Sequence, residues 1–167
     1  ATKTLTGADG TTGVTTVDTG TFYVSELVSN AGDYDSSLVC TNKGSVVLPG
    51  ANNSLVIGKG DAVACMYTNT RQHGSIALAK AWSGTKGDVT LKIGTSAGAS
   101  NTVTKTLTGA DGTTGATTVD TGTYYVSESV TKADDYDSSL ACVNNKANPA
   151  TKVTPGANGD VSVTKGD

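Results

Sequence analysis

The segment DAVACMYTNTRQHGSIALAKAW, residues 61–82, joins two alternating apolar stretches through a short polar break. In the first stretch Val63, Cys65 and Tyr67 share one face, as the period of two in a β-strand requires. The second stretch places its large side chains and one lysine on a common face, in the order Ile76, Leu78, Lys80 and Trp82. These two strands either form a hairpin inside one domain or end one domain and begin the next.

An internal repeat favours the second possibility. The sequence TKTLTGADGTTGVTTVDTGTFYVSELV from Thr2 returns as TKTLTGADGTTGATTVDTGTYYVSESV from Thr104, and DYDSSLVC returns as DYDSSLAC. The offset of about 100 residues matches a small β-sandwich and exceeds a solenoid repeat, so each copy should own a core. The sequence therefore predicts an all-β chain of tandem Ig-like β-sandwich modules.

The alignment of the two copies sets the predicted domain boundary. Residues 1–70 end with GDAVACMYTNT, whereas the second copy stops at TKGD, where the counterpart of that strand would begin. Residues 71–167 are therefore predicted to be one module without its last strand, and residues 1–70 the back two-thirds of the module before it. The break NTRQHG would be a linker of about six residues, which predicts a semi-rigid rod of neighbouring modules.

Composition and charge agree with this class and exclude several partners. The chain has 21 glycines and only 5% aromatic residues, which favours short strands and turns over helices. A net charge of −3 with 16% charged residues gives no basic stripe, so we expect neither nucleic acid nor an anionic membrane surface as a partner. No apolar run in this sequence is long enough to span a membrane.

The sequence offers little for catalysis, cofactors or metals. His73 is the only histidine and falls in the predicted linker, so a serine or cysteine hydrolase triad would lack its base. The GADGTTG turns lack the lysine and the following helix of a phosphate-binding loop. Two acidic turns could offer oxygens to calcium but lack the glycine and distal glutamate of a calcium loop, so solvated turns are predicted: Asp33 with Asp35, and Asp135 with Asp137. We predict no enzyme activity, no cofactor and no metal site.

The three cysteines indicate export. Cys40 and Cys65 fall in one module, and Cys142 matches Cys40, so the partner of Cys142 is expected beyond residue 167. A Cys40–Cys65 bridge would close a loop of about 25 residues and add roughly 3 kcal/mol by restricting the unfolded chain in an oxidising compartment. A pair of buried thiols is the alternative, whereas a zinc site needs more ligands than the module has.

Two glutamates are predicted to face the core. GTFYVSELV recurs as GTYYVSESV, and the exchange of Leu27 for Ser129 marks that position as the solvent face. Glu26 and Glu128 then point inward. In the second module Lys80 is predicted to point inward as well.

In this order, the lysine of SIALAKAW, the YYVSE strand and the closing GDAVACMYTNT resemble the prealbumin-like, Cna-B-type β-sandwich repeats of bacterial surface proteins, adhesins and pilins. The resemblance covers the whole chain. In many members of that family a lysine and an asparagine condense into an intramolecular isopeptide bond, with a glutamate assisting.

Carried over by position, the resemblance makes Lys80 the nucleophile and Glu128 the assisting carboxyl, with the counterpart of Asn69 missing. The preceding module keeps Glu26 and Asn69 and lacks the lysine. Burial favours such chemistry in general, because it disfavours a charged amine and keeps a carboxyl protonated. The alternative is structural: a lysine that reaches the sandwich edge, an exposed glutamate and a turn asparagine.

The resemblance implies an exported structural repeat of a bacterial cell-surface or extracellular filament protein. Its partners would be neighbouring modules or subunits of the same protein, and possible host or surface ligands. The near-verbatim turns argue against a pocket built from variable loops. The alternatives are an adhesin module that binds carbohydrate or ice, and a filament subunit polymerised by donor-strand exchange at the open sheet edge.

Overall fold

The computed structural model describes residues 1–146 and 148–167, and within them the chain is all-β, as predicted. Its regular elements are short strands and three single turns of 3-10 helix. The chain divides into two compact units. Unit 1 contains residues 1–29 and 36–69, and unit 2 contains residues 30–35 and 70–167.

The strands that lie wholly or mostly in unit 1 form two small sheets. The strands are β1 (Gly20–Tyr23), β2 (Tyr34–Asn42), β3 (Ser45–Val47), β4 (Ser54–Ile57) and β5 (Val63–Arg71). β1 pairs with β4, and the second sheet has the order β3-β2-β5. The β2–β3 hairpin turns at Lys43 and Gly44, whose φ angles of 50° and 85° lie in the left-handed region that a tight hairpin turn requires.

Unit 2 has more strands and one larger sheet. The strands are β6 (His73–Ile76), β7 (Ala79–Lys80), β8 (Asp88–Gly94), β9 (Val103–Thr108), β10 (Gly112–Thr113), β11 (Thr117–Asp120), β12 (Gly122–Val130), β13 (Cys142–Asn144), β14 (Thr151–Val153) and β15 (Asp160–Val163). The main sheet has the order β15-β12-β8-β9, and the remaining strands form the pairs β11-β6, β10-β7 and β13-β14.

The core of unit 2 lies on one face of the main sheet. β8 alternates strictly, so that Val89, Leu91 and Ile93 are buried while the residues between them are more exposed. Neighbouring elements complete the cluster with Ile76, Leu78, Val119, Tyr124, Val126 and Val163. The alternation predicted for SIALAKAW is confirmed at Ile76 and Leu78, which are both buried.

The same strand register recurs in the two units. β1 pairs with β4 starting from Gly20 opposite Ile57, and β12 pairs with β15 starting from Gly122 opposite Val163. Gly20 and Gly122 occupy the same position of the sequence repeat, as do Ile57 and Val163. Equivalent segments of the repeat therefore adopt the same local pairing in both places, although the residues of β4 and β15 differ.

A hydrogen-bonded turn is also repeated. In unit 1, Asp61 accepts from the Asn42 side chain and from the backbone N–H three residues earlier. In unit 2, Asp167 accepts from the Asn144 side chain and from the backbone N–H three residues earlier. In unit 1 this turn leads directly into β5.

Equivalent strands differ in length between the units. β1 covers four residues, whereas its counterpart β12 covers nine and is paired along its second half with β8. The reverse holds for β2, which covers nine residues beside β5, while its counterpart β13 covers three. A strand extends only where a neighbour accepts its backbone hydrogen bonds.

The predicted six-residue linker NTRQHG is wrong. β5 continues to Arg71 and β6 begins at His73, so only Gln72 separates the two strands. The reason is that the backbone of the break has partners: the Gln72 N–H donates to the Asp33 carbonyl, and the Thr121 N–H donates to the Gln72 carbonyl. The break is consequently ordered by main-chain hydrogen bonds.

SIALAKAW also differs from its prediction, because it forms two short strands. β6 ends at Ile76, and β7 begins only at Ala79. Between them, Leu78 exchanges hydrogen bonds with Thr114: its N–H donates to the Thr114 side chain, and its carbonyl accepts from the Thr114 N–H. Buried and exposed side chains nevertheless continue to alternate across this gap between β6 and β7.

We predict that Leu91→Ala lowers the free energy of unfolding of unit 2 by about 2–5 kcal/mol, because it leaves a cavity at a fully enclosed site. Leu91 is 1% exposed at the centre of the core. The measurement is denaturant unfolding followed by the fluorescence of Trp82, the only tryptophan in the sequence.

Val143→Ala is the matched control, since Val143 is 60% exposed in the same unit. We expect it to change the stability by less than about 0.5 kcal/mol. Equal effects of the two substitutions would contradict the described core.

Candidate functional site

Lys80 and Glu128 form an ion pair in unit 2, although 48 residues separate them in the sequence. Lys80 lies on β7 and Glu128 on β12, and the lysine Nζ is 3.0 Å from the glutamate Oε1. Their side chains are 13% and 26% exposed, so both are largely withdrawn from water. The structure therefore brings together the two residues that the sequence placed on inward faces.

An aromatic pair borders the lysine. The Lys80 Nζ lies 4.4 Å from the centroid of the Trp82 ring, a distance typical of a cation–π contact. The Trp82 ring meets Tyr136 edge-on, with centroids 4.8 Å apart. Gly87 lies close to both rings: a Cβ there would approach the Tyr136 hydroxyl to 2.8 Å, so a larger residue would force the Tyr136 side chain to shift.

Main-chain and side-chain hydrogen bonds hold Trp82. Its backbone N–H donates to Asp111, and its indole N–H donates to the Ala110 carbonyl. Asp111 also accepts from the Lys86 ammonium. These bonds to Lys86 and the Trp82 N–H lower the pKa of Asp111 below its ordinary value, because they favour the charged carboxylate.

In unit 1, Glu26 and Asn69 contact each other. The Asn69 amide donates to both carboxylate oxygens of Glu26, at 2.9 and 3.0 Å, and the Ser36 hydroxyl donates to the Asn69 side-chain oxygen. Asn69 belongs to β5, the last strand of the unit. The carboxylate and the amide that the sequence singled out are thus adjacent.

The prediction that Glu26 faces the core is wrong, because Glu26 is exposed. In unit 2 the second half of β12, which carries Glu128, pairs with β8. In unit 1 the strand β1 ends at Tyr23 and pairs only with β4 in the part of the chain that the structure describes. Glu26 therefore lies past the end of β1, in a segment that pairs with no strand of the described chain, and its carboxylate contacts only the side chain of Asn69 among the hydrogen bonds described. The complementary prediction that Leu27 and Ser129 face solvent is confirmed.

The repeat allows the two arrangements to be compared. Ser138 occupies the position of Ser36, and Glu128 occupies the position of Glu26. In unit 1 the Asn69 side chain lies between the serine and the glutamate, whereas in unit 2 the Ser138 hydroxyl donates directly to Glu128, at 3.0 Å. Ser138 was not predicted to be a site residue, although a serine at this position of both DYDSS segments, Ser36 and Ser138, was an available signal.

A groove of about 440 Å³ opens beside the Lys80–Glu128 pair. Its lining comes from three segments of unit 2, namely residues 78–81, 126–128 and 138–140. The amine and the carboxylate therefore border a concave surface with both apolar and polar lining.

The three cysteines lie on β2, β5 and β13. A disulfide joins Cys40 on β2 to Cys65 on β5. Cys142, the counterpart of Cys40, is a free, half-buried thiol at the start of β13. Burial raises the pKa of the Cys142 thiol, because the thiolate is poorly solvated there.

The acidic turns act as hydrogen-bond acceptors. Asp33 accepts from Arg71 and from Thr121, and Asp35 accepts from Gln72 and Lys165. The residues described by the structure contain no cluster of three or more side chains suited to metal binding.

Two further expectations concern the other acidic turn and the histidine. Asp135 lies in a 3-10 turn and Asp137 follows it. His73 was assigned to the linker, which is wrong, since it begins β6 and its Nδ1 lies 3.0 Å from Asp120.

No helix in the described chain is long and apolar enough to cross a membrane.

Comparison with known proteins identifies a family. The model of a family described as a prealbumin-like fold domain, of SpaA type, matches residues 1–71 and 80–167. The resemblance predicted from the sequence is thereby confirmed. No curated protein and no solved structure matches the chain.

We predict that Asp111 makes stability depend on pH below about pH 4. A carboxylate whose pKa is lowered by folding stabilises the fold fully above its unfolded pKa of about 3.9, and this contribution disappears as the pH falls through the lower folded-state pKa. Unfolding free energies of the wild type and of Asp111→Asn should therefore converge as the pH falls from 5 towards 3, as followed by Trp82 fluorescence. A difference that stays constant over this range would contradict the role of the charge.

Proposed function

This chain belongs to the SpaA-type family of prealbumin-like fold domains, and we propose that it is a structural module of a bacterial cell-surface or extracellular filament protein. Domains of this type are pilin and surface-protein folds, which makes a mechanical role the first expectation. The module would extend the protein, resist shear and proteolysis, and associate with neighbouring modules. It would turn over no substrate.

The proposal rests on the position of the disulfide and of the glutamate–asparagine hydrogen bonds in unit 1. The Cys40–Cys65 disulfide and the Glu26–Asn69 hydrogen bonds both attach β5 to other parts of the unit. In a chain pulled from its ends, a terminal strand bears the load first, so cross-links on that strand oppose its removal.

We further propose that a complete module forms an isopeptide bond. The Lys80 amine would attack the side-chain carbonyl carbon of an asparagine placed as Asn69 is in unit 1. A nitrogen–carbon bond forms, the bond to the amide nitrogen breaks, and ammonia leaves. Glu128, within hydrogen-bond distance of the Lys80 Nζ, would transfer the proton from the lysine nitrogen to the departing one.

This chemistry predicts a mass change in an extended variant. Asp167 corresponds to Asp61, so appending a copy of residues 62–70 after Asp167 supplies the closing strand with its asparagine. We expect the intact mass of this variant to fall by one ammonia. Lys80→Ala should keep the full mass, because it removes the nucleophile.

The extended variant carries its own test of strand placement. If the appended cysteine forms a disulfide with Cys142 while the mass shows no loss of ammonia, the strand is in place and the isopeptide proposal is wrong.

The proposed location at the cell surface predicts the outcome of antibody labelling. An antibody raised against this chain should label the surface of intact producing cells, or filaments that extend from it, by immunogold electron microscopy. Label confined to the cell interior would contradict the proposal. Selective binding of the chain on a glycan array would instead favour the alternative of a carbohydrate-binding adhesin module.

A further inference from the structure

Three side chains of unit 1, those of Asn69, Glu26 and Ser36, form one hydrogen-bonded group. The Asn69 amide nitrogen donates to both carboxylate oxygens of Glu26, and the Ser36 hydroxyl donates to the Asn69 side-chain oxygen. Asn69 belongs to β5 and Ser36 to β2, while Glu26 follows β1. The two ends of one amide are therefore held by two different groups.

The carboxylate fixes the direction in which the amide points. A carboxylate accepts hydrogen bonds and donates none, so the amide nitrogen of Asn69 faces Glu26 and the amide oxygen faces away from it. The Ser36 hydroxyl meets that oxygen, which only accepts, so the hydroxyl is the donor of the bond. The carbonyl of the amide is consequently polarised by a donor on its oxygen.

This arrangement suits the attack of an amine on the amide. As the nitrogen of the amine adds to the carbonyl carbon, negative charge collects on the amide oxygen, and a donor already aimed at that oxygen stabilises the transition state. The departing nitrogen must gain a proton, which a neighbouring carboxyl group can transfer. In unit 1, Ser36 lies at the oxygen and Glu26 lies at the nitrogen.

Unit 2 contains the same serine and glutamate together with a lysine. Glu128 accepts from the Lys80 ammonium and from the Ser138 hydroxyl, both at 3.0 Å and both at its Oε1. Ser138 corresponds to Ser36 in the repeat. Because a serine hydroxyl changes its acceptor by rotation about one side-chain bond, Ser138 can turn from Glu128 to an amide oxygen that lies between them, as Asn69 does in unit 1.

We propose that this serine, Ser138 in unit 2 and Ser36 in unit 1, stabilises the oxyanion that forms when the lysine amine attacks the asparagine. The hydroxyl donates to the amide oxygen throughout and keeps its own proton. The nitrogen–carbon bond forms, the bond to the amide nitrogen breaks, and the glutamate passes one hydrogen from the lysine nitrogen to the departing ammonia, so atoms and charges balance. The inference rests on the proposed isopeptide bond and deepens it, because it assigns a third participant beside the lysine and the glutamate.

The second serine of the DYDSS motif provides a matched comparison. Ser139 follows Ser138, and consecutive side chains of an extended segment point to opposite sides. Among the described hydrogen bonds, the first serine of each motif contacts the site: Ser138 donates to Glu128, and Ser36 donates to Asn69. Removal of either hydroxyl of the motif is the same chemical change, so only the position differs.

The first test uses the 167-residue chain and requires no reaction. Carbon-13 NMR of the Asn69 side-chain carbonyl reports the hydrogen bond to its oxygen. We expect Ser36→Ala to move this signal upfield, because the donor is lost, and Ser37→Ala to leave it nearly unchanged. A signal that stays in place in Ser36→Ala would overturn the inference, since the serine would then not polarise the amide.

The second test measures the rate of condensation in the variant extended by a copy of residues 62–70. The variant is synthesised in a cell-free system with a glutathione buffer, samples are stopped with acid at successive times, and intact mass follows the loss of ammonia. We expect Ser138→Ala to slow this loss at least about tenfold, because it removes the donor to the oxyanion. Ser138→Thr should restore most of the rate, since it keeps a hydroxyl, and Ser139→Ala should match the parent.

Strand placement is controlled in the same samples. The disulfide between Cys142 and the appended cysteine should form in every variant, so slow loss of ammonia with the disulfide present reports on the chemistry. An unchanged rate in Ser138→Ala would overturn the inference, as would a loss of the disulfide that parallels the loss of rate, because the serine would then act only in placing the strand.

The outcomes separate this inference from the proposals on which it rests. Full condensation in the parent with an unchanged rate in Ser138→Ala overturns only the role of the serine. A parent that loses no ammonia shows that the isopeptide proposal is wrong, and the role of the serine is then wrong with it. Neither result bears on the surface location tested by immunogold labelling.

Discussion

The structure depends on one constraint, which is that a β-strand persists only where a neighbouring strand satisfies its backbone hydrogen bonds. Nearly identical sequences form β2 with nine residues and β13 with three, and β12 with nine residues and β1 with four. Propensity cannot explain these differences, because the residues are almost the same. The presence of β5 beside β2, and of β8 beside β12, does explain them.

The same constraint governs burial. β8 supplies three enclosed side chains to the core of unit 2, whereas unit 1 leaves Leu27, Leu48 and Val56 largely exposed. Lys80 and Glu128 are withdrawn from water where β7 and β12, each paired with a neighbouring strand, bring the two side chains together. Glu26, which has the same sequence context as Glu128, is exposed because the corresponding strand ends before it. Burial of these charged groups is thus a property of the assembled unit.

The cysteines, the Lys80–Glu128 ion pair and the Glu26–Asn69 pair lie on or next to strands in both units. In unit 1 the closing strand carries a disulfide and a hydrogen-bonded amide, and in unit 2 the equivalent surface has a thiol, an amine and a carboxylate beside a groove. A protein that must withstand pulling benefits from strong bonds at this position. The composition of the site and the family to which the chain belongs are the two observations that support the proposed mechanical role.

The sequence by itself determined the all-β class, the resemblance to prealbumin-like repeats and the side of the strand on which Lys80 and Glu128 lie, because alternation with period two is a local property. It did not reveal that the Ser138 hydroxyl donates to Glu128 or that the Trp82 ring lies beside the Lys80 ammonium, because side-chain contacts depend on how the strands and turns are assembled. It also misplaced Glu26 and lengthened the break after Asn69. Only the tertiary structure decided these features, because strand length, burial and the ends of strands depend on which neighbour is present to complete the hydrogen-bond ladder.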